Sequence, residues 1–155
     1  VVLPAAAALE PAVAAPVVPA PAASPQRLRV MVVDDEPQVN EMLARVLRRD
    51  HEVVAVSCGR EALDQVAAGT WFDAIVSDVM MPNMTGIELL EAMVELAPAQ
   101  AKRVIFLSGG VFSPETRMRL DELGTLQLEK PINTKDLRSQ VMSVAADLSA
   151  SALLR

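Results

Sequence analysis

The sequence contains few of the residues that build disulfides, cysteine-based metal clusters or aromatic binding surfaces. Its 155 residues include one Cys, one Trp, three Phe and no Tyr. A single cysteine excludes an internal disulfide and a cysteine-based metal cluster, and it fits a reducing compartment. We therefore predict a cytoplasmic protein without structural disulfides.

Positive charge is also scarce. Fourteen Lys and Arg residues stand against 20 Asp and Glu residues, the net charge is −6, and the sequence has no basic cluster. This balance argues against a nucleic-acid-binding surface. The sequence has no Gly-rich phosphate-binding loop that carries a lysine, so we do not expect direct use of ATP.

Residues 1–26 differ from the rest of the chain. Ten of them are Ala, six are Pro, and Glu10 is their one charged residue. Frequent prolines interrupt helices, and the longest proline-free run is far too short to span a membrane. We interpret this stretch as a semi-rigid linker that makes no membrane contact. Because the chain begins with Val rather than Met, we expect the linker to lead back to a missing part of a longer protein.

From Arg27 onward, short β-branched runs alternate with amphipathic helical patterns. Five strands and five helices are predicted, with the third helix ending before Pro98 and the fourth strand following at residues 102–107. Strict alternation predicts a parallel sheet with helices on both sides, and near-continuous apolar runs predict strands buried on both faces. The predicted fold is α/β, a doubly wound five-stranded parallel sheet of the flavodoxin-like type.

Polar residues follow four of the predicted strands. Asp34 and Asp35 end the first strand, Asp78 the third, Ser108 the fourth and Lys130 the fifth. Since the carboxyl ends of parallel strands share one edge, we expect these five side chains to meet in one crevice. A single aspartate at such a position is most simply a helix cap, but the combination favours a functional site.

The chemistry of these residues points to phosphoryl transfer. Three neighbouring carboxylates repel one another unless a cation is present, and oxygen ligands of this kind suit Mg²⁺. Lys130 supplies a compact positive charge for a phosphate oxygen, and Ser108 supplies a hydroxyl donor. Aspartate is also a nucleophile that forms aspartyl-phosphates, so a Mg²⁺-dependent transfer onto a carboxylate is predicted.

Four motifs resemble the receiver domains of two-component response regulators. They are VVDDEP at residues 32–37, DVMMPNMTG at 78–86, LSGG at 107–110 and EKP at 129–131. Their order and spacing are similar to those of the family, and the resemblance covers about residues 27–148. It implies a receiver domain at residues 27–149 with a C-terminal tail at residues 150–155.

The resemblance implies a role for each acidic residue of the crevice. Asp78 is expected to be the phosphoacceptor and to contribute to the metal site. Asp34 and Asp35 are expected to hold Mg²⁺, with Asp35 as the more direct ligand. The backbone carbonyl of Met80 is expected to complete the protein ligands.

The same resemblance implies roles for the remaining two site residues. Ser108 is expected to be the switch hydroxyl that follows the phosphoryl group, and Lys130 is expected to pair with that group. The bond between Lys130 and Pro131 is expected to be cis, a form that is accessible mainly before proline.

Two departures from the family pattern affect the switching mechanism and the lifetime of the phosphorylated aspartate. The family usually carries Tyr or Phe three residues before the lysine, and this chain has Gln127 there. The way in which phosphorylation at the site changes the protein surface is therefore expected to differ from that of the family. Met80 and Gly110 offer no polar side chain to orient an attacking water, so we expect slow hydrolysis of the phosphorylated aspartate.

The expected phosphoryl donor is a histidine kinase or a histidine phosphotransfer domain, and the expected receiver of the signal is a downstream protein. His51, the lone histidine, lies away from the crevice and is expected to be packed rather than phosphorylated. The linker and the absence of an output domain after Leu148 favour the C-terminal receiver of a hybrid sensor histidine kinase. This chain is then a phosphoacceptor domain and not a kinase by itself.

Three alternatives remain open on the sequence. One is a stand-alone response regulator that acts by protein contact. Another is a phosphohydrolase with an aspartate nucleophile, which needs a second acid where Met80 stands. The third is a non-phosphorylated pseudo-receiver that only binds protein. Charged residues of the last two helices, among them Arg117 and Arg119, are interpreted as a solvated helix face.

Overall fold

A five-stranded parallel sheet forms the centre of the protein. The computed structural model describes residues 27–110 and 112–153, so the predicted linker at residues 1–26 lies outside the described part. The strands are β1 (Arg29–Val33), β2 (Glu52–Val56), β3 (Ala74–Asp78), β4 (Val104–Ser108) and β5 (Leu126–Glu129). They are ordered β2-β1-β3-β4-β5 and all pair in parallel, which confirms the predicted flavodoxin-like sheet.

Six helices connect and follow the strands in the described part of the chain. They are α1 (Pro37–Arg48), α2 (Gly59–Ala67), α3 (Gly86–Leu96), α4 (Pro98–Ala101), α5 (Pro114–Leu123) and α6 (Thr134–Leu153). The predicted count of five was wrong because α4 was missed. Pro98 ends α3 but begins α4, since proline fits the first helical turn, where its missing N–H costs no hydrogen bond.

Two apolar layers cover the two faces of the sheet. On one face, residues such as Ile75 and Phe106 pack with α2, α3 and α5. On the other, residues such as Val76 and Ile105 pack with α1 and α6. Neighbouring residues of a strand point to opposite faces, so Ile75 and Val76 enter different layers. Each fully buried aliphatic side chain contributes about 1.5–3 kcal/mol to folding.

Burial differs between the central and edge strands. β3 and β4 are buried along their whole length, as the apolar runs predict. The expectation of burial on both faces was wrong for β5, where only Leu128 is half-buried and the other three residues are exposed. β5 lies at the edge of the sheet and pairs only with β4, so fewer helices cover it.

The last helix extends beyond the apolar stripe that predicts it. Its buried positions include Leu137 and Val141, and the helix runs to Leu153. The boundary between a receiver domain ending at residue 149 and a tail starting at residue 150 remains a prediction. Among the helices of the described residues, none has the length and apolar character needed to cross a membrane.

Candidate functional site

The sheet brings the predicted site residues to its carboxyl edge. Asp34 follows β1, Asp78 is the last residue of β3, and Ser108 is the last residue of β4. In the strand register Asp78 lies opposite Leu107, and Ser108 lies opposite Glu129. The chain therefore leaves β5 toward Lys130 beside Ser108, and the Lys130 N–H donates a 2.8 Å hydrogen bond to the Ser108 carbonyl oxygen.

Three carboxylates form one cluster at this edge. Asp34, Asp35 and Asp78 each offer a carboxylate oxygen, and these oxygens lie within 4.8 Å of one another. Asp34 and Asp78 are buried, whereas Asp35 is half-buried. The Asp34 Oδ1 accepts a 2.9 Å hydrogen bond from the Glu36 N–H, which fixes the orientation of the carboxylate.

The second oxygen of Asp34 shows that the cluster suits a cation. The Asp34 Oδ2 is buried and accepts no hydrogen bond from the described residues, and its positively charged neighbour Lys130 Nζ lies 3.5 Å away. A buried acceptor without a donor costs free energy, so it calls for a positive ligand. Mg²⁺ takes a few carboxylate oxygens and keeps several waters, and the half-buried Asp35 leaves such a site open to solvent.

Lys130 places its ammonium group between two of the carboxylates. Its Nζ lies 3.4 Å from Asp78 Oδ1 and 3.5 Å from Asp34 Oδ2. The Lys130–Pro131 bond is cis, as predicted. Gly109 leaves room for the lysine stem, because a Cβ at that position would lie 2.9 Å from Lys130 Cδ. The lysine thus offsets part of the negative charge that the carboxylates concentrate there.

The protonation of Asp78 reflects these neighbours. Burial raises the pKa of Asp78 above the usual value, and the negative charge of Asp34 adds to the rise. The positive charge of Lys130 and a hydrogen bond from the Met80 backbone lower the pKa and oppose this rise. A cation bound among the carboxylates would act in the same direction as Lys130, because it favours the ionised form.

Ser108 and Met80 complete the set of predicted residues. Ser108 is 7% exposed and lines a polar cavity together with Lys130. Met80 lies in the loop after β3, and its side chain is 58% exposed. The backbone carbonyl of Met80 as a metal ligand remains a prediction. All of the predicted residues lie at one edge of the sheet.

Comparison with known proteins identifies the family. The profile of the response regulator receiver domain matches residues 30–142. The chain belongs to this family. The receiver domain thus functions in two-component signalling, and its strand-end carboxylates occupy the edge where the sequence motifs place them.

Relatives with solved structures share the receiver fold over most of this chain. The chemotaxis protein CheY4 of Vibrio cholerae is 32% identical, has a TM-score of 0.65, and matches over 77% of this chain and 99% of its own. The signal receiver domain of a signal transduction histidine kinase from Syntrophus aciditrophicus is 28% identical. Its TM-score is 0.68, and it matches over 77% of this chain and 91% of its own.

A curated relative is longer than the receiver domain. The transcriptional regulatory protein TcrA of Mycobacterium tuberculosis is 35% identical over 109 residues. The match covers 62% of this chain and 43% of TcrA, so the receiver spans less than half the length of that relative. The relationship therefore concerns the receiver portion of TcrA.

Sequence reasoning missed a buried amide that positions the acidic cluster of the receiver. The Asn40 side chain donates hydrogen bonds of 2.9 Å to the Asp34 carbonyl oxygen and 2.7 Å to the Val56 carbonyl oxygen. It joins the ends of β1 and β2 to helix α1. The available signal was a polar residue next to the apolar stripe of that helix, in line with its buried positions.

Sequence reasoning also missed how Gly86 and Thr85 fix the start of helix α3. Gly86 is the first residue of α3, and its N–H donates a 2.9 Å hydrogen bond to the Val79 carbonyl oxygen. Thr85 caps this helix by accepting a hydrogen bond from the Glu88 N–H, while the Glu88 carboxylate accepts one from the Thr85 N–H. The resulting capping box fixes the point where α3 begins behind the loop that carries Met80.

Proposed function

We propose that Asp78 is the phosphoacceptor of this receiver and takes its phosphoryl group from a phosphohistidine of a partner protein. The observation that carries the proposal is the charge arrangement at the carboxyl edge. Asp34, Asp35 and Asp78 offer oxygens within 4.8 Å of one another, and Lys130 Nζ lies within 3.5 Å of two of these residues. Positioning and charge neutralisation are the main requirements of phosphoryl transfer.

In the transfer, a carboxylate oxygen of Asp78 attacks the phosphorus of the phosphohistidine. The P–N bond breaks as the P–O bond forms, and the ring nitrogen keeps the electron pair of the broken bond. With a proton on its other nitrogen, the ring leaves as neutral imidazole. Asp78 becomes an acyl phosphate, and the ammonium group of Lys130 balances part of its negative charge.

Asp34, Asp35 and Asp78 would hold Mg²⁺ with their carboxylates, and the Met80 backbone carbonyl would be a further ligand. When bound, the ion supplies positive charge to the phosphoryl oxygens. The buried Asp34 Oδ2, which accepts no hydrogen bond from the described residues, supports this assignment. Ser108, at the end of β4, would donate a hydrogen bond from its hydroxyl to a phosphoryl oxygen.

The direct test is the intact mass of the full 155-residue chain after incubation with Mg²⁺ and a small acyl phosphate. One added phosphoryl group is expected for the wild-type protein and none for Asp78→Ala. Omission of Mg²⁺ should also abolish the adduct. A wild-type protein that gains no phosphoryl group and binds no beryllofluoride would instead support a pseudo-receiver that only binds protein.

The proposed donor is a histidine kinase or a histidine phosphotransfer domain, and the proposed location of the receiver is the cytoplasm. Similarity to the receiver domain of the Syntrophus aciditrophicus histidine kinase supports a place within a hybrid kinase. The gene sequence upstream of Val1 tests this context. A histidine-bearing helix and an ATP-binding domain are expected there, and a start codon next to the receiver would instead favour a stand-alone regulator.

A further inference from the structure

A polar cavity lies next to the proposed phosphorylation site. It occupies about 350 Å³ between the end of β4, strand β5 and the first turns of α5. Ser108 and Lys130 line it on the side of the site, and Gln127 and Glu129 line it along β5. Because Ser108 and Lys130 belong to both the site and the cavity, the cavity adjoins the proposed phosphoryl position.

Arg117 brings a second positive charge to this cavity. It lies in the second turn of α5, whose first turn is capped by a 3.2 Å hydrogen bond from the Thr116 N–H to the Ser113 hydroxyl. Among residues 27–110 and 112–146, whose side chains the structure describes, no carboxylate lies within 4.0 Å of the Arg117 guanidinium. Even Glu129, in the wall of the same cavity, forms no ion pair with it.

Arg119, two residues further along α5, behaves differently. It forms an ion pair with Glu91 of α3 and does not line the cavity. Arg119 therefore links α5 to α3 through an ion pair. Arg117 faces the cavity without an ion-pair partner among the residues whose side chains the structure describes. The two arginines differ in surroundings but not in charge, which makes Arg119 a matched control.

We propose that Arg117 binds the phosphoryl group on Asp78 directly, from within this cavity. The inference rests on the proposed function and deepens it. Phosphorylation adds a dianionic group beside Ser108 and Lys130, and a guanidinium binds phosphate oxygens with paired, charge-assisted hydrogen bonds. The neutral Gln127 side chain is exposed and leaves the cavity open to the arginine.

Such binding couples the site to the position of α5. The Arg117 side chain extends from the second helical turn, so its attraction to the phosphoryl group draws the N-terminal half of α5 toward the end of β4. In this receiver the signal would pass through an arginine of α5. The ligand class is a tetrahedral dianion or its mimic, fixed on the carboxylate of Asp78.

The test measures beryllofluoride binding by the full chain in Mg²⁺, for the wild type, Arg117→Gln, Arg117→Lys and Arg119→Gln. We expect Arg117→Gln to weaken binding about tenfold, as for loss of one charge-assisted hydrogen bond. Arg117→Lys should retain part of the affinity because it keeps the charge. Arg119→Gln, with the same change in net charge, should bind as tightly as the wild type.

Hydrogen exchange supplies a second readout that a merely structural arginine would not affect. Beryllofluoride is expected to protect the amides at the start of α5 in the wild type and in Arg119→Gln, but not in Arg117→Gln. Equal affinity and equal protection in all four proteins would overturn the role of Arg117 but would leave the proposed function of Asp78 standing. A wild-type protein that binds no beryllofluoride would overturn the proposed function, and the inference with it.

Discussion

Gly86 packs directly against the end of β3, where a side chain on Gly86 would overlap the backbone carbonyl oxygen of Asp78. The added Cβ would also lie 2.9 Å from the Phe106 ring and 3.1 Å from Val79 Cα. Backbone atoms of a central strand cannot move away independently, because both neighbouring strands hold them by hydrogen bonds. The glycine therefore sets the distance between helix α3 and Asp78.

Gly86→Ala is expected to lower the free energy of unfolding by about 1–3 kcal/mol, the usual cost of overpacking. Urea unfolding measures this loss. Gly59→Ala is the matched control, since its Cβ would lie 2.9 Å from the Sδ of the flexible Met84 side chain. We expect the control to lose less than about 1 kcal/mol, because alanine also favours the helix. Equal losses would show that Gly86 has no special packing role.

Asp78→Asn is expected to stabilise the Mg²⁺-free protein at pH 7. Burial and Asp34 raise the pKa of Asp78, so its ionised form is less stable in the folded protein than in the unfolded chain. This loss of stability develops as the pH rises from the unfolded pKa through the raised folded pKa. Asparagine removes the charge with little change in shape, so the urea midpoint should rise.

The control for this charge change is Asp64→Asn on the exposed face of α2, which is expected to change stability by less than about 0.5 kcal/mol. With Mg²⁺ added, the wild type should gain stability by binding the ion, and Asp78→Asn should gain less. A lower urea midpoint for Asp78→Asn without Mg²⁺ would contradict the prediction.

His51 is expected to make the protein less stable in weak acid. The side chain is 3% exposed, and the His51 Nδ1 accepts a 3.4 Å hydrogen bond from the Leu28 N–H. Burial lowers the pKa of His51 below its usual 6.5, an effect that Asp50 opposes and Arg138 strengthens. As the pH falls below about 6.5, the unfolded chain binds the proton first, so the free energy of unfolding decreases until the lowered folded pKa is passed.

The measurement is the urea midpoint of the wild type and His51→Asn between pH 7.5 and about pH 5.5, where most carboxylates remain ionised. The asparagine amide oxygen can accept the hydrogen bond from the Leu28 N–H but does not titrate. We expect the midpoint of the variant to change less with pH than that of the wild type. Parallel curves for the two proteins would exclude His51 as the titrating group.

Met80→Asn is expected to shorten the lifetime of phosphorylated Asp78. During hydrolysis a water attacks the phosphorus, phosphate leaves and the carboxylate is restored. The exposed Met80 side chain offers no polar group to this water, whereas an amide can orient it through a hydrogen bond. A hydrogen bond worth about 0.5–1.5 kcal/mol corresponds to decay faster by roughly twofold to tenfold.

The decay is followed by intact mass after the phosphoryl donor has been removed. Met80→Leu serves as the control, because leucine keeps an apolar side chain of similar volume at the same exposed position. Its decay rate should match that of the wild type. If Met80→Asn decays at the same rate as the wild type, the Met80 side chain does not determine the lifetime of the phosphorylated aspartate.

The sequence alone predicts the parts of the site that depend on strand order. Asp78, Ser108 and Lys130 each follow an apolar run, and parallel strands bring their carboxyl ends to one edge. The contacts that depend on side-chain reach could not be predicted in this way. Arg117 was assigned to a solvated helix face, because helical periodicity does not show that a cavity lies beside that helix.

The break between helices α3 and α4 was equally hard to predict from the sequence. Pro98 ends one helix and begins another, and the sequence signals for these two roles are the same. The side-chain amide of Gln100 in α4 accepts a hydrogen bond from the Phe72 N–H and donates one to the Thr70 carbonyl oxygen. Such long-range pairing of a short helix becomes visible only once the chain is folded.

The strand register has a consequence for any redesign of this receiver. Asp78 lies opposite Leu107, and Ser108 lies opposite Glu129, so the arrangement of the candidate site depends on how the strands are aligned. One residue inserted within β4 would shift Ser108 by about 3.3 Å and turn its side chain to the other face of the sheet. Inserted loops or fused domains are best placed in the connections at the amino-terminal ends of the strands. Those connections can lengthen without changing the alignment of the strands.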